Sequence, residues 1–418
     1  MSLDPYPRMA AARQRLFSAP VPDIPAAVAA ELKRAGLAER VRPGSRIAVT
    51  AGSRGIANID VILKAVVDEI RLLGAEPFLV PTMGSHGGAT AEGQVELLAA
   101  FGITEPAMGV PIRSTMEVKE IGRTERDVPV YLDRYAAEAD GIVVVNRVKG
   151  HTDFSGPVES GLLKMITIGL GKRAQAESVH AYGSWGLREL IPEVGRAKVR
   201  LAPILMGLAI LEDGYDQTCA VVGVPAERIE AEEPALLQRA KEYAPRIPFD
   251  ELDLLIVDRI GKEISGCGMD TNVIGRKRIP GEPEFERPRI ERLIVRDVTD
   301  ESHGNAIGIG LADFITQRLH EKIDWHVTNT NAMVSGFLAR SMVPVVCPTD
   351  QAAVDAALFT LRRKRPQDVR VMRISDTLHL EHMQISEALL PEAQAMPLVE
   401  IVGELHPMHF DAAGRLVG

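Results

Sequence analysis

Residues 46–90 read RIAVTAGSRGIANIDVILKAVVDEIRLLGAEPFLVPTMGSHGGAT, and their order of patterns sets the fold class. Arg46–Thr50 is a short strand followed by a glycine-rich turn. Ile56, Ile59, Ile62, Leu63, Val66, Val67 and Ile70 then recur at helical spacing. Gly74 closes that helix, Pro77–Val80 is a second strand, and the turn MGSHGGAT leads to Thr90, which has the hydroxyl expected of a helix N-cap. Further on, Gly141–Val145 is a short, wholly apolar run of the kind found in strands covered on both faces of a parallel sheet. Strand, turn, helix, strand is the βαβ rhythm.

The second half repeats the theme. Leu252–Val257, Arg292–Val295, Pro344–Cys347 and Val369–Ile374 have strand composition, and Asp350 opens an amphipathic helix over Ala352–Leu361. Tyr243–Glu251 carries proline and charge and reads as a linker. The expected architecture is α/β: two α/β domains with mostly parallel sheets, residues 1–245 and 246–418, facing each other across a cleft where a ligand would sit.

The 418 residues carry a net charge of −9, with lysines and arginines scattered among acids, which argues against a nucleic-acid surface. The one basic run, Arg362–Arg365, ends a predicted helix, where cations complement the helix dipole. Cys219, Cys267 and Cys347 are too widely spaced for a disulfide framework or a thiolate metal site. The N-terminus lacks the apolar core of a signal peptide, and no apolar run has the length of a membrane span, so the expected compartment is the cytoplasm.

Polar residues lie where such a fold places function, after the carboxyl ends of strands. The turn AGSRG brings Ser53, Arg54 and several backbone amides to the start of a helix, a setting that suits an anion; the arginine fork suits a carboxylate, or simply a neighbouring acid. His86 lies in GSHGG, where Gly87 and Gly88 leave the ring exposed. The segment from Asn146 to His180, NRVKGHTDFSGPVESGLLKMITIGLGKRAQAESVH, follows the third strand. Arg147, Lys149 and His151 emerge from its carboxyl end toward Arg54 and His86. Lys164 sits among Leu162, Leu163, Met165 and Ile166, an apolar setting that would make its amine nucleophilic, although a surface lysine lying along an amphipathic helix gives the same pattern. Gly169–Lys172, GLGK, is not a Walker loop, because the earlier glycine is absent and Arg173 stands where serine or threonine is required. No H-E-x-x-H occurs. Two imidazoles and an amine so close together suit proton transfer, metal ligation or covalent attachment of a cofactor.

AGSRG, then MGSHGGAT, then the segment with His151, Lys164 and His180 resembles, in the same order, the nickel-pincer-dependent lactate racemase family of 2-hydroxy acid racemases and epimerases. The resemblance covers the first half and extends weakly into the second. It implies a pyridinium-3-thioamide-5-thiocarboxylic acid mononucleotide carrying nickel, covalently attached at Lys164, with His180, sixteen residues on, as the protein's metal ligand. Neutral imidazole suits nickel. It implies hydride transfer from the substrate to the nickel-pincer nucleotide, with His86 and His151 as two bases, Arg54 on the substrate carboxylate, and Ser53, Gly87 and Gly88 lining the cofactor. The implied partners are a 2-hydroxy acid and the cofactor-synthesis proteins that load the enzyme, with a homo-oligomer left open. The family's acid three residues before the arginine is replaced here by Ala51, and the stretch between His151 and Lys164 is longer than in the lactate enzymes. A substrate larger or more polar than lactate is therefore expected. In the second half Lys262 is the candidate substrate contact, with Asp270 and Asn272 nearby and His303, Asn305 and Asp313 as a further polar cluster.

Two other readings use the same residues. One is a metal-dependent lyase or hydrolase with His86, His151 and His180 as direct ligands. The other is a non-catalytic protein that binds a small anion through Arg54 and the basic cluster.

Overall fold

The computed structural model describes residues 5–52, 55–361 and 365–417. Ser53 and Arg54, and Arg362–Lys364 of the basic run, lie outside them. The chain divides into two compact units, one formed by Phe17–Ala244 and the other by the first sixteen residues together with Pro245 onward.

The unit from Phe17 to Ala244 is built on a five-stranded sheet, in spatial order Glu76–Pro81, Arg46–Ala51, Gly141–Arg147, Ile204–Glu212 and Thr218–Pro225. The first four strands are parallel and the last is antiparallel. Apolar residues on both faces make this possible. On one face, Val49, Val143, Val145 and Leu208 pack against the helices Ile24–Arg34 and Ile59–Leu72, through Val28, Leu32, Ile62, Leu63, Val66 and Ile70. The other face receives the segment that starts at Leu162. Gly207 has no Cβ because Leu162 occupies that space, 2.6 Å from where one would stand. A hairpin of Val118–Arg123 and Pro129–Asp133 lies outside the sheet, and its Tyr131 amide donates to Gln175 at 2.9 Å.

Sequence order along this sheet reverses beside Arg46–Ala51. The chain first steps to Glu76–Pro81 on one side and then returns to Gly141–Arg147 on the other. Loops diverging at such a switch point leave a crevice at the carboxyl edge. The loops that follow Ala51, Pro81 and Arg147 all start there.

The other unit holds a nine-stranded mixed sheet. Val345–Cys347, Phe314–Thr316, Arg289–Val298, Glu251–Ile260 and Val371–Ile374 are parallel neighbours; His382–Ser386, Arg8–Gln14 and Val399–Ile401 extend it antiparallel. Arg8–Gln14 is the departure from the division at 245/246: the first strand of the chain completes the sheet of the C-terminal unit, pairing with partners more than 360 residues away. The helix expected from Asp350 runs Asp350–Thr360, but Thr349 is its cap, accepting from the Ala352 amide at 3.1 Å. Asp350 is instead buried against Arg296 and Arg318.

Candidate active site

His151 stands in a loop that the chain closes on itself. Lys149 and Ser160 exchange backbone hydrogen bonds of 2.8 and 3.2 Å, so residues 150–159 form a tied excursion from the sheet edge. Glu159, almost wholly buried, organises its interior. It accepts from the backbone amides of His151 at 2.7 Å and Gly156 at 3.0 Å, and from the Lys241 amine at 2.6 Å. The buried Phe154 ring packs 4.6 Å from the His151 ring, centroid to centroid. The Asp153 amide donates to His151 Nδ1 at 3.0 Å, and Nε2 lies 2.5 Å from Lys164 Nζ.

Lys164 reaches that position from the first turn of the helix Leu162–Lys164. Glu233, buried in the helix Ile229–Tyr243, accepts from the Leu163 amide at 2.8 Å and anchors this helix start. Gly161 has to be glycine, since a Cβ there would lie 2.1 Å from Glu233 Oε1. Burial pushes the Glu233 carboxyl up to about 7, against the opposing pull of the Leu163 and Leu162 amides. After Lys164 the helix continues as a π-turn, Met165–Gly169, and then as Leu170–His180.

A straight helix would carry His180 about 24 Å from Lys164, at 1.5 Å per residue. The two nevertheless interact electrostatically, because the helix breaks at Lys172, whose φ of 52° and ψ of −156° are not helical. Lys172 is completely buried. Its amine donates to the Pro81 carbonyl and, at 3.0 Å, to Gln94 Oε1, and it pairs with Asp133 at 3.2 Å. Gln94 Nε2 in turn donates to the carbonyls of Gly84 at 3.1 Å and His86 at 3.3 Å. One buried amine thus fixes the kink between Lys164 and His180 and, through Gln94, the loop that presents His86.

His180 ends its helix with an exposed edge, yet much of the ring is surrounded by protein. Burial lowers its pKa below the usual histidine value; the Lys164 ammonium, when formed, adds to this, and Asp153 opposes it. The neutral ring, the form that binds a metal, is favoured. His86 is exposed on the loop after Pro81, in a turn closed by its amide to the Met83 carbonyl at 3.1 Å. Gly87, Gly88 and Ala89 follow with φ of 66°, 64° and 55°. Gly87 lies so near the next helix that a Cβ would come 2.6 Å from the Gly93 carbonyl carbon.

The structure therefore brings His151, Lys164 and His180 together and places the His86 loop at the same sheet edge. Ser53 and Arg54 lie outside the described residues. Arg147 does not join the cluster: it forms an ion pair with Glu212, which also accepts from the Ala57 amide at 2.8 Å. Lys262 belongs to the other unit, where its amine donates to the Gly266 carbonyl at 2.5 Å and to Asn331 at 3.0 Å. Asp270 caps the short helix Thr271–Ile274, and Asp313 pairs with Arg276 and Arg278. Among the described residues no group of three or more His, Cys, Asp or Glu side chains is arranged to hold a metal ion, so His86, His151 and His180 do not form a ligand set of their own. Glu159, Glu233, Lys172 and Gln94 have positions that sequence reading missed. The GLGK run held the one available signal, a lysine inside a helix at a glycine-rich break.

The three adjacent parallel strands and the loops at their switch point define an α/β protein with a candidate catalytic edge. Residues 17–186 match the family model described as the lactate racemase N-terminal domain. The lactate racemase apoprotein from Thermoanaerobacterium thermosaccharolyticum shares the fold, with a TM-score of 0.55 and 15% identity over 88% of this chain and 94% of that one. No curated protein matches the sequence. Among the described residues no helix is long and apolar enough to cross a membrane.

Proposed function

We propose that this protein is a racemase or epimerase of a 2-hydroxy acid that carries a nickel-pincer nucleotide on Lys164, with His180 as the metal ligand. The match of residues 17–186 to the lactate racemase N-terminal domain model supports the coarser statement, a racemase of a lactate-like hydroxy acid. The observation that carries the finer one is the meeting of His151, Lys164 and His180 across a helix broken at Lys172.

The residues fit the group. Lys164 offers a half-buried amine for covalent attachment, and His180 offers an imidazole held toward its neutral form within electrostatic reach of that amine. When bound, the nucleotide supplies a hydride acceptor, and the protein supplies orientation and proton transfer. Arg54 would hold the substrate carboxylate, and the loops bearing His86 and His151 leave the strands on either side of Arg46–Ala51. In this reading one histidine accepts the hydroxyl proton as C2 gives up its hydrogen as hydride and becomes planar, and the other histidine returns a proton to the oxygen as that hydrogen comes back to the opposite face of C2. Imidazole is the side chain suited to act as both acid and base near neutrality. We propose that the tied loop 150–159 shapes the His151 side of the site and selects a substrate other than lactate. Cys219, Cys267 and Cys347 are free thiols, in keeping with a reducing cytoplasm.

The test is co-expression with the cofactor-synthesis proteins, followed by nickel analysis, mass spectrometry of the Lys164 peptide and a panel of 2-hydroxy acids assayed for inversion at C2. Nickel, an adduct on Lys164 and inversion of at least one substrate are expected. An unmodified Lys164 under conditions that load a lactate racemase overturns the reading.

A further inference from the structure

Two side chains of one helix reach the two segments that carry the site. In Ile229–Tyr243, Glu233 and Lys241 are eight residues apart, with the buried Leu237 midway between them. At 3.6 residues per turn the three share a stripe, about 12 Å from end to end. Glu233 Oε2 accepts from the Leu163 amide at 2.8 Å and so fixes the start of the helix that bears Lys164. Lys241 Nζ donates to Glu159 Oε1 at 2.6 Å, inside the tied loop that bears His151. This helix lies beyond residues 17–186, the part of the chain that the family model matches.

The two attachments differ in kind. On the Lys164 side, Leu162 and Leu163 are wholly buried, so apolar packing holds the helix start as well as Glu233 does. Residues 150–159 contain neither helix nor strand, and the loop depends on Glu159. Glu159 Oε2 accepts from the His151 amide at 2.7 Å, and Oε1 is shared between the Gly156 amide at 3.0 Å and Lys241. None of the Glu159 side chain is exposed, whereas Lys241 keeps 37% of its side chain in solvent. Among the described residues Lys241 is the one ion-pair partner of that carboxylate. A buried carboxylate left with two amides alone is poorly compensated, and the loop relieves this by opening Glu159 to water. The His151 amide is bonded to the same carboxylate, so the histidine moves with it.

We infer that Lys241 is a positioning residue of the site: through Glu159 it holds the loop 150–159 in place and thereby sets where the His151 ring stands. The amine acts only through Glu159. The role in turnover rests on reading His151 as one of the two bases, whereas the hold on the loop does not. The inference also separates turnover from cofactor loading. Without the Lys241 amine the His151 side loosens, while the Lys164 side, packed through Leu162 and Leu163 and held by Glu233, keeps its place.

The test is hydrogen–deuterium exchange of the full-length apoprotein, read by peptide mass spectrometry, in wild type, Lys241→Met and Lys241→Arg. Methionine keeps the unbranched stem without the charge, and arginine keeps the charge. Peptides covering residues 150–159 are expected to exchange at least about tenfold faster in Lys241→Met, with those covering residues 162–169 and the strand Ile204–Glu212 unchanged. Lys241→Arg should bring the loop back to within about threefold of wild type. In protein loaded by co-expression, Lys241→Met should retain the Lys164 adduct and the nickel but show a kcat lowered by roughly tenfold or more, with a smaller change in KM. If Lys241→Met does not fold, Glu159→Gln, which removes the same ion pair and keeps an acceptor for the His151 amide, is read by the same exchange pattern. Loop exchange that is unchanged, or that rises equally across the whole unit, overturns the inference. These outcomes are separate from the fate of the functional reading, because the exchange experiment contains no cofactor. An unmodified Lys164 after co-expression removes the racemase reading and the role in turnover, and leaves the hold of Lys241 on the loop to the exchange result.

Discussion

Lys172 and Asp133 form an ion pair of 3.2 Å in which neither side chain reaches solvent, and the pair sits at the break between the segments carrying Lys164 and His180. Burial raises the Asp133 pKa and lowers that of Lys172, each against the attraction of the other, so the pair survives only because both charges are present together. Asp133→Asn should leave an uncompensated buried ammonium and cost on the order of 3–5 kcal/mol, read as a lower urea midpoint. Lys172→Met should also destabilise and, by loosening the kink and the Gln94 link, weaken nickel retention in loaded protein. A double Asp133→Leu, Lys172→Met variant should recover part of the stability but not the retention.

Glu233 makes stability depend on pH. Its folded pKa of about 7 lies above the ordinary 4.5, so folding favours the protonated form. The associated stability is full below the unfolded value and is lost as pH rises through the folded one. Urea midpoints should therefore fall as pH rises from about 5 to about 8, by an amount corresponding to no more than about 3 kcal/mol. Glu233→Gln should remove much of that slope while keeping an acceptor for the Leu163 amide. An unchanged slope in the variant would assign the pH dependence to other groups.

Gly87→Ala should impair catalysis more than folding. The added methyl meets the Gly93 and Gln94 backbone at 2.6–2.7 Å, and the φ of 66° is strained for alanine. Only the turn that carries His86 has to move. The expectation is a kcat lowered by roughly tenfold or more in loaded enzyme, as displacement of a catalytic group by about 1 Å can cause, with a thermal midpoint within a few degrees of wild type.

Attachment and metal binding should separate genetically. Lys164→Ala should abolish the adduct and the nickel together. His180→Ala should leave the adduct and lose nickel on dialysis. Whole-protein mass spectrometry and metal analysis of the same samples distinguish the two patterns.

The βαβ rhythm of the first half was legible because each element has a local period of apolar residues. Arg46–Thr50, Pro77–Val80 and Gly141–Val145 all lie within observed strands, and Thr90 caps its helix by accepting from the Gly93 amide at 3.1 Å. Arg8–Gln14 was not legible as part of the C-terminal sheet, because pairing with Met383 and Ile385 leaves no trace in the local pattern. Arg147 shows the same limit from the other side. It emerges from a strand end as the site basic residues do, and only the fold shows it matched to Glu212.

The sequence alone determined the strand-end chemistry of this protein: two histidines, a lysine and a third histidine in an order that resembles one family, on a scaffold whose class follows from apolar periodicity. The tertiary structure decided which of these groups meet. Lys164 and His180 are sixteen residues apart on one helical segment and come within reach only because a buried Lys172, held by Asp133, Pro81 and Gln94, breaks that segment. Side-chain direction is set by packing and long-range partners that a local pattern does not encode.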